Sequence, residues 1–311
     1  MKNFSYTKSS TLNEQIMTIE ELRTKLLLKP ISPRKELRFQ WNAYLRHIKY
    51  YLALSGDIVS EIQIRNLFAP QGKKHIDDTE KKIIGYKNAL DFLYHEWLVN
   101  GDLITAKIVI RLYEKAFSGK LKIAEKDLDT ALQYAQINPE YPIIQAALAQ
   151  YFILDLDPFT TDNEGLSYLV FLMFLYKTGY DFRRMLTIEK YYYDDLARYK
   201  NLIAQLNRSQ NLTNWLEYVT SGVIKETKII LEDLEFEHDR TDNNNDTFAL
   251  NDRQRTVLSI LTEPQSKISN KTIQKMFKVS QITASRDLSK LTSLGLLLAI
   301  GKGRSTYYTR V

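Results

Sequence analysis

The sequence predicts a mainly α-helical protein that ends in a small module of mixed helices and strands. Apolar residues recur at spacings of three and four through most of the chain, as they do on the buried face of a helix. Glycine and proline, which interrupt helices, are scarce, with 11 and 7 among 311 residues. A polar, asparagine-rich stretch at 237–246 has no periodicity and separates the body of the chain from a basic C-terminal segment.

Composition limits the kinds of site that the chain can build. The content of 44% apolar and 26% charged residues is that of a globular protein, and cysteine is absent. The lack of cysteine excludes disulfides, thiolate metal sites and cysteine nucleophiles. The four histidines show neither HxH nor HExxH spacing, so we expect no metal site and no histidine-based triad. No apolar run reaches the roughly 18–20 residues of a membrane span, and the N-terminus lacks the apolar core of a signal peptide. We therefore expect a cytoplasmic protein with no membrane partner.

The helices of the body are predicted from apolar spacing and from the residues that end them. Five segments show the pattern: 86–100, 104–117, 125–136, 141–156 and 165–179. The last two are apolar enough for a core, and the length of the fifth favours a helix over a buried strand. That fifth segment stops at Gly179, a residue suited to the C′ position of a helix. We predict a helical extension at 1–40, a helical body at 41–236, a linker at 237–250 and a C-terminal domain at 251–311.

The C-terminal domain has the element order of a winged helix-turn-helix. Residues 252–263 predict a first helix, and 267–297 predict a second helix, a tight turn and a third helix. Ser269 or Asn270 can cap the second helix, and Ser280 can cap the third. Gly295 ends the third helix, and a two-stranded hairpin follows around 301–304. One apolar face of the third helix is predicted from Val279, Ile282, Leu288, Leu291 and Leu294.

The charge distribution indicates a polyanionic partner for this domain. Residues 251–311 contain eleven Lys and Arg against three acids, a net charge of +8, whereas the rest of the chain carries −2. Short polar side chains at the start of the third helix can reach base edges in the major groove of duplex DNA, and the cations can contact phosphates. The predicted DNA-contacting residues are Gln281, Thr283, Ser285, Arg286, Lys290, Lys302 and Arg304. Winged helices also serve in protein interaction or dimerisation, and Arg286 can equally pair internally with Asp287.

The segment 141–165, YPIIQAALAQYFILDLDPFTTDNEG, resembles the core of a Fic-domain protein, in which a helix precedes the loop motif HPFxxGNGR. The segments 168–182 and 191–223 are similar to the later helices of that family. The C-terminal GKGRSTYYTRV resembles the end of the winged helix that many bacterial Fic proteins carry. The resemblance covers roughly residues 40–311 and implies a Fic-like helical bundle followed by a small winged helix-turn-helix (α+β) domain.

The resemblance also implies a chemistry, which this chain departs from. In the family, the motif histidine takes a proton from a target hydroxyl, which attacks the α-phosphate of a bound nucleotide. The motif glycines cradle the phosphates, and the arginines neutralise their charge. Aligned on Pro158 and Phe159, only these two residues and Asn163 are retained. The replacements are Asp157 at the histidine, Thr161 at the magnesium-holding acid, Asp162 and Glu164 at the two glycines, and Gly165 and Tyr168 at the two arginines.

These replacements turn a cradle for an anion into an acidic loop, so we expect no catalytic residue and no cofactor. The degenerate loop comprises Asp157, Pro158, Phe159, Asp162, Asn163, Glu164 and Gly165. The alternative is an active nucleotidyltransferase that moves AMP from ATP with magnesium to protein hydroxyls, with Asp157 as the base. A divalent ion held by Asp155, Asp157, Asp162 and Glu164 is a further alternative, although their spacing is not that of a calcium loop.

Two accessory features of the family are also reduced. The inhibitory motif [ST]xxxE[GN] has its nearest match at 55–60, with Val59 in place of the glutamate. The flap that pairs with a target has only 117–126 available, which runs directly into a helix.

The leading hypothesis is a protein that does not transfer AMP and that acts as a regulator through DNA binding or protein interaction. Its body would then form a homodimer or contact a partner protein. A pure protein-interaction module is the remaining alternative. The aromatic-rich 191–199 is expected to form core and rim.

Overall fold

The predicted fold class is confirmed: a helical body is followed by a short run of helices with a three-stranded antiparallel sheet. The computed structural model describes residues 4–68, 76–97, 103–137, 140–206, 211–241, 250–261, 266–293, 296–301 and 306–310. Within these ranges, no helix is both long enough and apolar enough to cross a membrane.

Eleven of the described α-helices form the body. They are α1 (Ser10–Leu28), α2 (Pro33–Leu54), α3 (Glu61–Phe68), α4 (Asp78–Asp91), α5 (Ala106–Ala116), α6 (Glu125–Ile137), α7 (Pro142–Leu156), α8 (Asn163–Lys177), α9 (Ile188–Asp194), α10 (Leu196–Leu206) and α11 (Thr213–Thr241). A π-helical segment, Phe92–Trp97, continues α4, and a 3₁₀ turn, Phe182–Arg184, precedes α9. The predicted helix 86–100 is therefore not a single α-helix, because apolar spacing does not distinguish α from π hydrogen bonding.

Local sequence signals set several helix ends. Asp77 and Glu80 form a capping box at the start of α4, each side chain accepting a backbone N–H of the other residue. Gly179 has a φ of +72° and ends α8, where its N–H donates to the Tyr176 carbonyl and the Tyr180 N–H donates to Leu175. This is the Schellman arrangement, and it confirms Gly179 as the predicted C′ residue.

Helices α7 and α8 form the centre of the body core. Every residue from Gly165 to Tyr176 of α8 is buried, as is every residue from Ile143 to Ile153 of α7 except Gln145. A helix that is apolar on all sides must be surrounded by other helices, so the placement of both predicted core helices is confirmed. The aromatic-rich 191–199 joins this core as predicted: Tyr192 and Tyr199 are buried and stacked with centroids 4.5 Å apart, whereas Tyr193 is at the rim.

The N-terminal helix belongs to the same core. Helix α1 lies along α11 and buries Leu12, Ile16 and Ile19 there, so the predicted extension at 1–40 packs as part of the body. Helix α11 continues to Thr241, which lies inside the range 237–250 predicted as a linker.

The described residues between 250 and 310 form the C-terminal module, which has a core of its own. It contains α12 (Asp252–Ile260), α13 (Asn270–Phe277), α14 (Gln281–Ser293), β1 (Ile268–Ser269), β2 (Leu297–Ile300) and β3 (Tyr307–Arg310). The three antiparallel strands lie in the order β1-β3-β2, with Ala299 opposite Tyr308. Val257, Ile273 and Leu288 are among the residues that fill the core between the helices and the sheet.

The C-terminal module contacts the body through its edge strand. Leu297 in β2 faces the core of the module, whereas the next residue, Leu298, is buried in the core of the body. The Lys87 ammonium on α4 donates to the Ala299 carbonyl at 3.1 Å. Helix α14 also contacts α3. The module is therefore held against the body by side-chain contacts as well as by the chain.

Candidate functional site

Segment 157–165 joins the two core helices through two backbone reversals. Asp157 follows α7 with a φ of +48°, and Asp162 precedes α8 with a φ of +58°. Both residues lie in the left-handed region, which aspartate tolerates better than bulkier residues. The short loop between them is consequently a tight connection at the N-terminus of α8.

Asn163 fixes the shape of this loop from within. Its side-chain amide donates to the Phe159 carbonyl at 2.7 Å and to the Asp157 carboxylate at 2.6 Å. Its side-chain oxygen accepts the Phe159 N–H at 2.8 Å. One residue thereby satisfies polar groups on both sides of the loop, which gives the retained asparagine a structural role.

The loop is covered along one edge by segment 120–122. Lys122 N–H donates to the Pro158 carbonyl at 2.9 Å, Thr160 N–H donates to the Lys120 carbonyl at 3.0 Å, and Leu121 bridges Phe159 antiparallel. The Lys122 ammonium forms an ion pair with the Asp157 carboxylate. This segment lies in 117–126, the range predicted as all that remains of a flap, and α6 does begin at Glu125. Its backbone is paired with the chain's own loop.

The acids at the start of α8 are engaged by tyrosines. The Tyr51 hydroxyl lies 3.4 Å from the Asp162 carboxylate, and the Tyr168 hydroxyl donates to Glu164 at 2.8 Å. A second buried phenol, Tyr199, lies 3.0 Å from the Tyr168 hydroxyl. Burial raises the pKa of both Tyr51 and Tyr168, so the phenols remain neutral donors rather than anions. The two carboxylates are thus held by neutral hydroxyls.

Gly165 permits close packing of the first turn of α8. A Cβ atom at this position would lie 2.6 Å from the ring of Tyr51 and 3.0 Å from the ring of Phe117. The family resemblance places an arginine here, and the space for a side chain is occupied by these two rings. Sequence analysis missed this role because the contacts come from α2 and from the end of α5.

The other predicted loop residues lie together in the same segment. Phe159 is buried and stacks on Tyr113 with ring centroids 3.6 Å apart, and the Tyr113 hydroxyl donates to the Thr161 carbonyl at 3.0 Å. Pro158 is buried beside them. Among the described residues, no group of three or more histidine, aspartate or glutamate side chains is arranged to hold a metal ion.

The predicted DNA-contacting residues of the third helix share α14. Gln281, Arg286 and Lys290 are exposed, and Thr283 and Ser285 are half-buried. The Ser280 hydroxyl accepts the Thr283 N–H at 3.2 Å, which confirms Ser280 as the cap of this helix. Ser269 caps α13 in the same way through the Thr272 N–H. The predicted wing residues Lys302 and Arg304, and also Leu294 and Gly295, lie outside the described residues.

Asn270, which sequence analysis considered only as a cap, connects α13 to α14. Its amide donates to the Ser285 hydroxyl at 2.7 Å and to the Gln281 carbonyl at 3.3 Å. The bond fixes the angle between the two helices. The only local signal for it is an amide side chain near the turn.

One expectation about α14 is wrong, the placement of Ile282 on its apolar face. Ile282 is 65% exposed and does not belong to the apolar face, since Ala284 fills the core position beside Leu288 and Leu291. Ile282 precedes Leu288 by six positions, which places it about 120° away around the helix.

Asp287 is buried, but its partner is not Arg286. The carboxylate accepts hydrogen bonds from Gln254 at 2.7 Å, Arg253 at 2.9 Å and Asn251 at 3.1 Å. Burial alone would raise the pKa of Asp287, but these three donors hold its pKa below the usual value. Arg286 is consequently left at the surface.

By sequence, no protein-family model and no curated protein matches the chain. Solved structures are similar in fold. A Fic family protein from Desulfovibrio desulfuricans G20 superimposes with a TM-score of 0.60 at 13% identity, over 98% of this chain and 97% of that chain.

Two further solved structures agree with this match. Fic-1 from C. elegans matches with a TM-score of 0.58 at 17% identity, over 74% of this chain and 73% of that chain. A Fic domain containing signaling protein from Bacteroides thetaiotaomicron VPI-5482 matches with a TM-score of 0.53 at 14% identity, over 73% of this chain and 98% of that chain. The chain therefore has the fold of the Fic family proteins.

Proposed function

We propose that this chain is a Fic-family protein that does not transfer nucleotides and that regulates by binding double-stranded DNA through its C-terminal module. The observation that carries the proposal is the outward face of α14, which presents exposed polar and basic side chains on a helix fixed against α13. The body then supplies a contact for a protein partner or for a second copy of the chain.

The charge of segment 157–165 argues against nucleotide transfer. Asp162 and Glu164 lie at the N-terminus of α8, where a nucleotide-binding relative would place the phosphates, and Asp157 is paired with Lys122. A like-charge pair about 4 Å apart costs about 4 kcal/mol at an effective dielectric constant of 20. Two such pairs would offset a micromolar affinity, which is worth about 8 kcal/mol. The acids instead complement the dipole of their own helix.

The closed state of the loop gives a second argument. Backbone groups of Pro158 and Thr160 are paired with segment 120–122, and Asn163 is committed to Phe159 and Asp157. A target segment would therefore have to displace part of the chain. These contacts support a loop whose role is to connect and stabilise α7 and α8.

The C-terminal module has the features of a winged helix-turn-helix. Helices α12, α13 and α14 precede an antiparallel β2–β3 pair, and α14 follows α13 after the short turn at 278–280. Such modules insert their last helix into the major groove of duplex DNA. Although α14 contacts α3, Gln281, Arg286 and Lys290 remain exposed. The net charge of +8 over residues 251–311 attracts phosphate backbones.

DNA binding is tested by titrating a fluorescent mixed-sequence duplex at several salt concentrations. We expect affinity to fall steeply with salt, because cation contacts to phosphates release counterions. The double variant Lys302→Ala/Arg304→Ala should reduce the slope of log affinity against log salt by up to about two. Lys200→Ala, which removes an exposed cation from α10, is the control and should leave the slope unchanged. Absence of binding at low salt contradicts DNA recognition and favours a pure protein-interaction module.

The absence of nucleotide transfer is tested by calorimetry with magnesium-ATP and by transfer of radiolabel to protein hydroxyls. We expect no binding below about 1 mM, where the free energy of association is only about 4 kcal/mol. The variant Asp162→Asn/Glu164→Gln removes both negative charges while keeping the shapes of the side chains, and it should bind ATP more tightly than the natural chain. Label on a hydroxyl would establish the alternative, an active AMP transferase with Asp157 as the base.

A further inference from the structure

Helix α14 presents an isoleucine on the side opposite its core face. Ala284, Leu288 and Leu291 are fully buried, whereas Ile282 is 65% exposed. Rotation of about 100° per residue places Ile282 and Arg286 on the same outward side, one turn apart. The most outward stripe of the helix therefore begins with an apolar, β-branched side chain and continues with a cation.

The nearby hydroxyls are already engaged by the module itself. The Ser285 hydroxyl accepts the amide of Asn270 at 2.7 Å, and the Thr283 hydroxyl lies 3.0 Å from that of Ser280. At the first turn of α14, the exposed side chains are those of Gln281 and Ile282. Gln281 can hydrogen-bond to a base edge, but Ile282 can contribute only apolar contact.

The major groove offers one apolar group to such a side chain, the 5-methyl group of thymine. We propose that Ile282 contacts the 5-methyl group of a thymine in the major groove and thereby determines the base preference at one position of the binding site. This inference rests on the proposed DNA-binding function. Binding would remove from water an apolar surface that the folded chain leaves exposed, which is favourable. Replacement of thymine by uracil removes only the methyl group, so it measures the contribution of this contact to the affinity.

The test uses duplexes selected by the natural protein from a random-sequence pool. Each thymine of the selected duplex is replaced in turn by deoxyuridine, and the affinity is measured by anisotropy. We expect one position at which loss of the methyl group weakens binding about five- to tenfold, up to about 1.4 kcal/mol. Ile282→Ala should weaken binding to the thymine duplex by a similar factor and should show no further loss with deoxyuridine at that position.

Two controls separate this contact from other effects. Leu28→Ala removes an exposed apolar side chain from the end of α1 and should leave the thymine preference unchanged. Arg286→Ala should weaken binding to thymine and deoxyuridine duplexes equally, because its contact does not involve the methyl group. Helical content measured by circular dichroism checks that each variant is folded.

The outcomes distinguish this inference from the function on which it rests. If the natural protein selects and binds no duplex, both are wrong. If it binds DNA but no thymine methyl group matters, or if Ile282→Ala retains the full loss with deoxyuridine, the methyl contact is overturned and DNA binding stands. If Ile282→Ala instead changes the mass of the particle in light scattering and not the base preference, Ile282 is a contact between copies.

Discussion

Glu226 is a buried carboxylic acid without a hydrogen-bond partner for one of its oxygens. Its side chain on α11 is nearly inaccessible, with the residue 3% exposed, and Oε1 lies 4.0 Å from the Lys190 ammonium. Lys190 pairs at 2.5 Å with Asp194 instead. Burial raises the pKa of Glu226 to about 7; Lys190, Lys225 and Arg46 oppose this, and Asp194 reinforces it.

This raised pKa makes stability depend on pH in a definite direction. Well below pH 4.5 Glu226 is protonated in both the folded and the unfolded chain, so it has no effect on the free energy of unfolding. As the pH rises towards 7, the unfolded chain releases the proton first and the free energy of unfolding falls. Glu226→Gln should therefore raise that free energy by about 1–3 kcal/mol at pH 8 and by much less at pH 5, as measured by urea titration. Glu232→Gln, at an exposed site on the same helix, should show no such difference.

At the scale of single residues, the sequence predicted helix caps better than it predicted the hydrogen-bond partners of buried side chains. Ser280 and Gly179 were predictable because their roles depend on neighbours within four positions. Asp287 was not, because its donors come from α12, more than thirty positions away. Ile282 was misplaced because apolar character was given more weight than the helical period. The exposed isoleucine is instead the residue for which we propose a contact with thymine.

Among the elements, the first turn of α8 depends on the absence of a side chain at Gly165. Alanine is normally the better helix former by about 1 kcal/mol, but here its Cβ would lie 2.6 Å from the Tyr51 ring. Overpacking of this kind costs about 1–3 kcal/mol. We expect Gly165→Ala to lower the thermal midpoint of the full chain.

A double-mutant cycle tests the cause. In a Tyr51→Ala background the nearer ring is gone and the Phe117 ring remains 3.0 Å from the added Cβ, so Gly165→Ala should cost less than it does in the natural chain. A penalty of the same size in both backgrounds would mean that Tyr51 is not what the added Cβ meets.

The two core helices show how far element prediction from sequence extends. Apolar content and length predicted α7 and α8 and placed them in the core, and the structure confirms both. The pairing of segment 120–122 with the loop was not predicted, because its backbone bonds join residues about forty positions apart and carry no side-chain pattern. The switch to a π-helix at Phe92 was missed for a related reason, since both helix types bury the same apolar residues.

For the molecule as a whole, the contact between Lys87 and Ala299 connects the body to the C-terminal module. The ammonium of Lys87, a residue 8% exposed, donates to Asp91 at 2.6 Å and to the Ala299 carbonyl at 3.1 Å. These positions are 212 residues apart, so no local pattern predicts their contact. Strand β2 is an edge of its sheet. Lys87 donates to the carbonyl of Ala299 in this strand, which would otherwise be available to pair with another strand.

Lys87→Met should loosen this contact while keeping the apolar stem of the side chain against Phe68, whose ring centroid lies 5.7 Å from the ammonium. A hydrogen bond from a charged donor contributes about 1.5–3 kcal/mol. Each 1.4 kcal/mol is about tenfold in an equilibrium constant, so amides of β2 should exchange at least tenfold faster with deuterium. Those of α7 and α8 should be unchanged, because neither helix takes part in the contact between Lys87 and Ala299.

Lys87→Met also removes the ion pair between Lys87 and Asp91. The Asp91 carboxylate then keeps its hydrogen bond from the Tyr44 hydroxyl, at 2.8 Å. Lys87→Met/Asp91→Asn removes that unpaired charge and so isolates the contribution of the Ala299 contact. If the double variant still exchanges faster at β2, the lysine itself fastens the module to the body. If β2 exchange returns to the natural rate, the faster exchange of the single variant came from the Asp91 carboxylate left without its lysine, and the interface is maintained by Leu298 and by the contact of α14 with α3. Because α14 contacts α3, the same variant should, under the proposed DNA-binding function, also change the affinity for a selected duplex.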